Sequence, residues 1–194
     1  VDMDRIPHVF TISEVVQKTL YDNYGVESTV VCNGIVTSCF VSRPKTMPKG
    51  QLRVVMVSRL EHDKKGQDLL IRAAAALQGT VTVDFIGDLF VQPSRWEGFG
   101  LTVAEAMAAG VPVLVSEGQG PAEVTQGSRY GWLFANGDAD DLQRQIVFIK
   151  ENYGEAMTKA DEAKDYVRNT YDVSVTARAY LQEYEKIVCG CSKS

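Results

Sequence analysis

The feature that most constrains this chain is an alternation of short apolar runs with helical patterns. Leu52–Val57 (LRVVMV) is nearly continuous and apolar, the signature of a strand buried on both faces. Leu69, Leu70, Ala73, Ala74 and Leu77 then mark one face of a helix that ends before Gly79. Strands follow at Val81–Ile86 and Leu89–Gln92, an Ala-rich helix at Leu101–Ala109 closed by Gly110, and strands at Val111–Val115 and Gly131–Phe134. Asp138–Glu151 opens a helix with Leu142, Ile146 and Ile149 on one face. The pattern stays helical to about Ile187, with a break near Tyr171-Asp172. This order predicts an α/β fold, a Rossmann-like open parallel sheet with helices on both faces. Ligands gather at the carboxyl ends of strands in such sheets. The loops Ser58–Gly66, Gly87-Asp88, Pro93–Gly100 and Ser116–Gly120 are therefore the places to look.

The amino-terminal stretch reads more simply. Pro7–Ile12 is a short strand, and Ser13 is an N-cap with Glu14 in the first turn. Val15, Val16, Leu20 and Tyr24 recur at helical spacing up to Gly25, a left-handed cap. Thr29–Cys32 is a strand closed by Asn33-Gly34, and Ser42–Gly50, with Pro44 and Pro48, is a surface loop. The chain of 194 residues begins at Val1 without Met, which reads as a fragment of a longer protein.

Composition removes several classes. A net charge of -5 argues against a nucleic-acid partner, since a backbone binder is expected to be basic. No apolar run reaches the roughly 18 residues of a membrane helix. Cys32, Cys39, Cys189 and Cys191 make no CxxC pair, and His8 and His62 are the only histidines. Reduced cytosolic thiols fit this spacing better than a metal site.

One junction breaks the pattern. The strand ending Phe85-Ile86-Gly87-Asp88 runs straight into Leu89-Phe90-Val91. Parallel strands need a crossover of about a dozen residues or more. Gly87-Asp88 also leaves no room for a primed hairpin turn with register. A segment is therefore expected to be missing between Asp88 and Leu89, either deleted or disordered with the numbering closed up.

The chemistry-bearing residues cluster in Pro93–Leu101 (PSRWEGFGL) and Glu105. Gly98 and Gly100 let backbone approach a ligand at a helix start, where free N–H groups and the dipole favour an anion. Glu97 precedes the helix and Glu105 lies about one turn inside it, so both carboxylates can face one pocket. A helix-start acid and a surface charge would account for the pair equally well on spacing alone. Arg59 follows a buried strand and Lys65-Gly66 precedes a helix, which puts two cations at the same sheet edge. Taken alone, that segment is more simply a solvated charged loop, since Glu61, Asp63 and Lys64 are mixed in.

Glu97 and Glu105 form an E-x7-E pair within PSRWEGFGLTVAEAMAAGVPVLVS. Together with SRLEHDKKGQDLLIRA, HVFTISEVVQKTL, VCNGI and GQGPAEVTQGSRYGWLFANGDADDL, this resembles the C-terminal domain of GT-B retaining glycosyltransferases, family four (glycosyl transferases group 1). The motifs stand in the family's order and run through most of the chain. The resemblance implies a domain over residues 1–194 that binds a nucleotide-sugar donor, UDP- or GDP-linked. By position, Glu105 would bind the ribose hydroxyls, Glu97 would act at the donor sugar as the catalytic carboxylate, and Arg59 and Lys65 would neutralise the diphosphate. The backbone of Gly98, Phe99, Gly100 and Leu101 would line the sugar and phosphates. No metal or other cofactor is implied. The resemblance further implies a cytoplasmic protein, with peripheral contact at the inner membrane face as a second possibility. The acceptor, a sugar or lipid, would be held by an N-terminal domain that is absent here, so the isolated chain should transfer nothing. The family carries a helix-strand-helix stretch where Asp88 meets Leu89, beside the nucleotide base.

Three other features have plainer readings. Asp138-Ala139-Asp140 fits a DxD metal pattern, but Asp138 before a helix reads as an N-cap. Glu123 fits either a donor-site wall or a helix start. His62 has no visible partner. A nucleotide-sugar epimerase or a non-catalytic module on the same architecture remains open, because fold does not decide function. The absence of G-x-G-x-x-G after any strand argues against a dinucleotide dehydrogenase.

Overall fold

The computed structural model describes residues 6–41, 48, 50–83 and 87–191. Its centre is a five-stranded, all-parallel sheet. The strands are β3 (Leu52–Val55), β4 (Val81–Val83), β5 (Leu89–Gln92), β6 (Val113–Ser116) and β7 (Trp132–Phe134), in the order β4-β3-β5-β6-β7. The expected α/β class, parallel sheet and flanking helices are all present.

Strand periodicity divides the core into two layers. Leu52, Val54, Leu89, Val91 and Leu114 point to one face. There they meet α3 (Gln67–Ala76) through Leu69, Leu70 and Ala73, and α6 (Ala139–Glu151) through Leu142, Ile146 and Ile149. Phe90, Val113 and Val115 point to the other face. They pack on Val103, Ala104 and Met107 of α4 (Leu101–Ala108) and on Ala163 and Val167 of α7 (Tyr153–Thr170). Successive side chains of β5 and β6 thus go to opposite layers, as a strand buried on both faces requires.

The amino-terminal residues form a small parallel pair, β1 (Phe10–Thr11) with β2 (Thr29–Val30), joined by α1 (Glu14–Tyr24). Ser13 caps α1 by accepting from the Val16 amide, and Gly25 ends it at φ 65°. The chain returns beside β2 as α8 (Val173–Cys191), with Phe10 edge-on to Tyr180 and Tyr184. The charged segment read as a loop contains α2 (His62–Lys65), which was not expected, and α5 (Gly120–Val124) follows β6 and holds Glu123, for which a helix start was one of two readings. Both are too short to show a periodicity. The surface loop at Ser42–Gly50 lies mostly outside the described residues, as do residues 84–86 of the expected strand Val81–Ile86.

β4 and β5 stand on opposite sides of β3, and both Val83 and Leu89 are in register with Val54. Five residues separate Val83 from Leu89 in the sequence, where parallel strands normally have a crossover of about a dozen or more. Gly87 lies against β3, where an added Cβ would stand 2.8 Å from Val55 Cγ1 and 3.0 Å from the Arg53 carbonyl oxygen. Asp88 is clamped at the same strand. Its amide donates to the Arg53 carbonyl (2.6 Å), and its carboxylate accepts from the Arg53 amide (3.1 Å) and guanidinium (3.0 and 2.7 Å).

Leu114 is fully buried in β6, between two paired strands. Leu114→Ala is expected to cost about 2–5 kcal/mol, the range for a large-to-small change in a packed core. Urea denaturation followed by circular dichroism measures it, and a loss below about 1 kcal/mol would contradict this packing.

Candidate functional site

Strand order reverses at β3 and β5: the chain steps outward from β3 to β4, then resumes on the other side with β5. A crevice opens at such a switch point, outside the carboxyl ends of the two strands. The segment after β3 carries Arg59 and Lys65, and the segment after β5 carries Glu97–Gly100. The fold therefore brings Lys65 to the loop that carries Glu97, while Arg59 stays exposed beside Glu61.

The loop from Pro93 to Gly100 is held by polar contacts on every side. Ser94 is fully buried; its hydroxyl accepts from the Gln92 amide (2.7 Å), and its carbonyl accepts from the Ser116 hydroxyl (2.5 Å). The Thr102 hydroxyl donates to Gln92 Oε1 at 3.3 Å. Arg95 makes a two-pronged pair with Asp68 (2.8 and 2.7 Å) and donates to the His62 carbonyl (2.8 Å). Its own amide donates to the Lys64 carbonyl at 2.7 Å. The Glu97 amide donates to Gln119 Oε1 (3.0 Å), and its carbonyl accepts from the Gly120 amide (2.9 Å). The Gly98 carbonyl accepts from the Ser13 hydroxyl at 2.5 Å. Side chains are absent where the loops touch: a Cβ on Gly120 would overlap the backbone of Gly98 and Phe99.

Lys65 and Glu97 meet directly. Lys65 Nζ donates to Glu97 Oε2 at 2.5 Å, with the two side chains only 14% and 22% exposed. Lys65 is placed by α2, whose end at Gly66 (φ 71°) presses against the Pro93 carbonyl, where a Cβ would overlap. One of the three ammonium donors is thus engaged, and the second Glu97 carboxylate oxygen has no hydrogen-bond partner among the described residues.

Beside the start of α4 lies a pocket of about 190 Å3. Of the predicted site residues, Glu97, Phe99, Gly100 and Leu101 line it, and Arg59, Lys65, Gly98 and Glu105 do not. Gly100 caps the helix at φ 100°, and its carbonyl accepts from the Val103 and Ala104 amides (3.0 and 3.1 Å), which leaves the Leu101 and Thr102 amides at the helix start. The Phe99 ring itself is core, edge-on to Tyr171 at 5.4 Å, so this residue offers its backbone to the pocket. Ile12, Asn33 and Thr102 complete the lining and were not picked out as site residues from sequence. Asn33 sits in an Asn-Gly pair that reads as a turn, and only the packing of the amino-terminal strands brings it here.

Glu105 is half-buried on α4, four residues after Leu101, and its carboxylate has no hydrogen-bond partner among the described residues. Arg59 is exposed, 3.7 Å from the Glu61 carboxylate, and lies outside the pocket lining. Glu123 turns away from the site: it caps α1, accepting from the amides of Glu14 (2.9 Å) and Val15 (2.6 Å). Asp138 is the N-cap of α6, accepting from Asp140 and Asp141. Cys32, Cys39 and Cys189 are free thiols, and burial pushes the Cys32 thiol pKa up. No cluster of three His, Cys, Asp or Glu side chains occurs among the described residues.

Residues 85–171 match the model of the family Glycosyl transferases group 1, and the structure is superposable on solved GT-B glycosyltransferases over nearly its whole described length. Over that segment the chain is similar to this family. It is 38% identical over 106 residues to the lipopolysaccharide core biosynthesis mannosyltransferase LpsB of Rhizobium meliloti, covering 52% of this chain and 29% of that protein. It is 31% identical over 102 residues to the N,N'-diacetylbacillosaminyl-diphospho-undecaprenol alpha-1,3-N-acetylgalactosaminyltransferase of Campylobacter jejuni, covering 52% of this chain and 27% of that protein. Among solved structures, HepE of Anabaena in complex with UDP-glucose aligns with a TM-score of 0.82 at 21% identity, over 92% of this chain and 64% of that one. The chain thus spans under a third of the length of these two sequence relatives.

The Arg95 guanidinium holds the Asp68 carboxyl pKa down to about 2, below the ordinary carboxylate range. A depressed folded-state pKa stabilises the fold above the unfolded value of about 4 and loses that contribution as the group protonates. Asp68→Asn is therefore expected to lower the melting temperature above about pH 4. The difference from wild type should close as pH falls toward about 2. A difference independent of pH from 2 to 7, measured by thermal melts at about ten spaced pH values, would exclude the charged pair as its source.

Proposed function

We propose that this chain is the donor-binding domain of a retaining glycosyltransferase that uses a nucleotide-activated sugar. The observation that carries this is the meeting, at the strand-order reversal, of the Lys65–Glu97 pair with the glycine-bounded start of α4. Cations and free helix amides suit a diphosphate, and carboxylates offset from them suit hydroxyl groups. Arg59 and Lys65 take the diphosphate charge, Glu105 accepts from the ribose hydroxyls, and Glu97 accepts from a hydroxyl of the donor sugar. The backbone of Gly98, Phe99, Gly100 and Leu101 lines the sugar and phosphates.

In the transfer, the bond between the anomeric carbon and the diphosphate oxygen breaks, and the electron pair leaves with the diphosphate. The acceptor oxygen bonds the same carbon, and its proton passes to the departing phosphate or to water. The two cations stabilise the charge that grows on the leaving group, which is electrostatic stabilisation and asks for no metal. The two-carboxylate scheme of glycoside hydrolases is not invoked for Glu97 and Glu105. UDP- and GDP-sugars are the candidate donors; the UDP-glucose complex of HepE supports the first of these. The acceptor, a sugar or a lipid, is held by a domain outside this chain. The working location is the cytoplasm, with peripheral contact at the inner membrane face; among the described residues no helix is long and apolar enough to cross a membrane.

The same reading includes a crossover segment between Asp88 and Leu89 in the parent protein. The shared register of Val83 and Leu89 on β3 supports it. Sequencing the coding locus and weighing the expressed protein test this. Contiguous codons for Asp88 and Leu89, with a folded product of 21.4 kDa, would remove the segment from the proposal.

Calorimetric titration with UDP, GDP and ADP tests the donor site. One nucleotide is expected to bind, and Arg59→Ala or Glu105→Gln to weaken it by roughly tenfold or more, the cost of a charge-assisted hydrogen bond. Affinity unchanged in Glu105→Gln would favour a non-catalytic module. No nucleotide binding by the full-length protein would overturn the donor-site reading.

A further inference from the structure

Asn33 is held more firmly than its place in a turn requires. The Val31 amide donates to the Thr11 carbonyl (2.8 Å), and the Thr176 hydroxyl donates to the Cys32 carbonyl (3.0 Å). The Ile35 amide donates to the Tyr171 carbonyl (2.8 Å), and the Val173 amide donates back to the Ile35 carbonyl (2.8 Å). Gly34 lies flat on α8: a Cβ there would stand 2.6 Å from Thr176 Oγ1 and 2.7 Å from Val173 Cα. The backbone on both sides of Asn33 is therefore tied, to β1 on one side and to the start of α8 on the other. Asn33 lines the 190 Å3 pocket together with Glu97 and Gly100. Its side chain has no hydrogen-bond partner among the described residues.

A half-buried carboxamide on a pinned backbone is a preorganised polar group. It offers two N–H donors and a carbonyl acceptor, whereas Glu97 only accepts and is already held by Lys65. A ring hydroxyl is both donor and acceptor, so neighbouring hydroxyls can satisfy the two side chains together. The pocket is smaller than the roughly 300–1,000 Å3 of sites that take a drug-sized ligand, so it suits one ring and not a whole nucleotide sugar. We propose that Asn33 is a specificity-determining residue whose carboxamide hydrogen-bonds a hydroxyl of the transferred sugar, beside the hydroxyl held by Glu97. This rests on the donor-binding reading above and adds a residue from the amino-terminal strand pair to it.

The test compares a nucleotide sugar with its free nucleotide. UDP-glucose and UDP, and GDP-mannose and GDP, are titrated into wild type, Asn33→Ala and Asn33→Asp. For the base that wild type binds, Asn33→Ala should weaken the sugar conjugate by about three- to tenfold, the worth of a neutral hydrogen bond. The free nucleotide should stay within about twofold, since its contacts are elsewhere. Asn33→Asp should weaken the conjugate at least as much, because it gives up the N–H donors and sets a second carboxylate near Glu97. The backbone permits these changes: among the described residues Gln126 is the one non-glycine at positive φ, so Asn33 needs no left-handed conformation. Melting curves check that each variant folds, and Asn33→Ser, which keeps a small polar group, stands in if Asn33→Ala does not. Equal loss for conjugate and free nucleotide, or no loss for either, overturns the proposal. Wild-type binding of a nucleotide with no preference for its sugar conjugate also overturns it, while leaving the donor-domain reading intact. Binding of neither ligand, by the full-length protein as well, overturns both.

Discussion

The parallel pairing of β3 with β5 is the constraint on which the rest of the molecule depends. It joins two strands that are not consecutive in sequence, with β4 lying beyond β3 on the far side. This reversal places the segment carrying Lys65 against the segment carrying Glu97. Their side chains come to 2.5 Å although 32 positions separate them along the chain. Without the β3–β5 pairing, Lys65 would be a surface charge at the end of a one-turn helix, and Glu97 an acid in an open loop.

The loop bearing Glu97 is fixed by polar contacts made largely to buried or backbone groups. Gln92, Ser94, Ser116 and Thr102 form a network at the ends of β5 and β6. Each of these groups would be costly to leave unpaired inside the fold, so the loop geometry is closely specified. Arg95 and Asp68 fasten the outer side to α3. Gly98 and Gly120 allow two loop backbones to touch, which seats the start of α5 against the loop that follows β5. Glu123 serves the same end from a distance, by tying the start of α1 to α5.

The β4–β5 junction is the place where the ordinary rules of α/β topology are under most tension. β4 and β5 flank β3 at the same register, and Gly87 and Asp88 are fastened to β3 itself. The clamp by Arg53 explains how β5 is held at its start. It does not supply the helical crossover that parallel strands on opposite sides of a third normally have.

Much of this protein was legible in the chain itself, and the physical reasons divide cleanly. Long periodic helices, their caps at Ser13, Gly25 and Asp138, and the apolar strands carry their signal locally, in spacing and backbone preference. The glycine-bounded run from Glu97 to Leu101 does too, because a helix start that admits an anion needs those residue types in that order. Short elements such as α2 and α5 do not, since a single turn has no period. Nor could local pattern show that Glu123 caps a helix more than a hundred positions away, that Arg95 binds Asp68, or that Lys65 and Glu97 neutralise one another. Asn33 is the clearest instance: its sequence context is that of a turn, and only tertiary packing brings it to the pocket that Glu97 also lines. Residue types and local spacing determined the elements and the chemistry available to them. Which groups share a pocket was decided by strand order and packing, because contacts between distant positions exist only once the chain has folded.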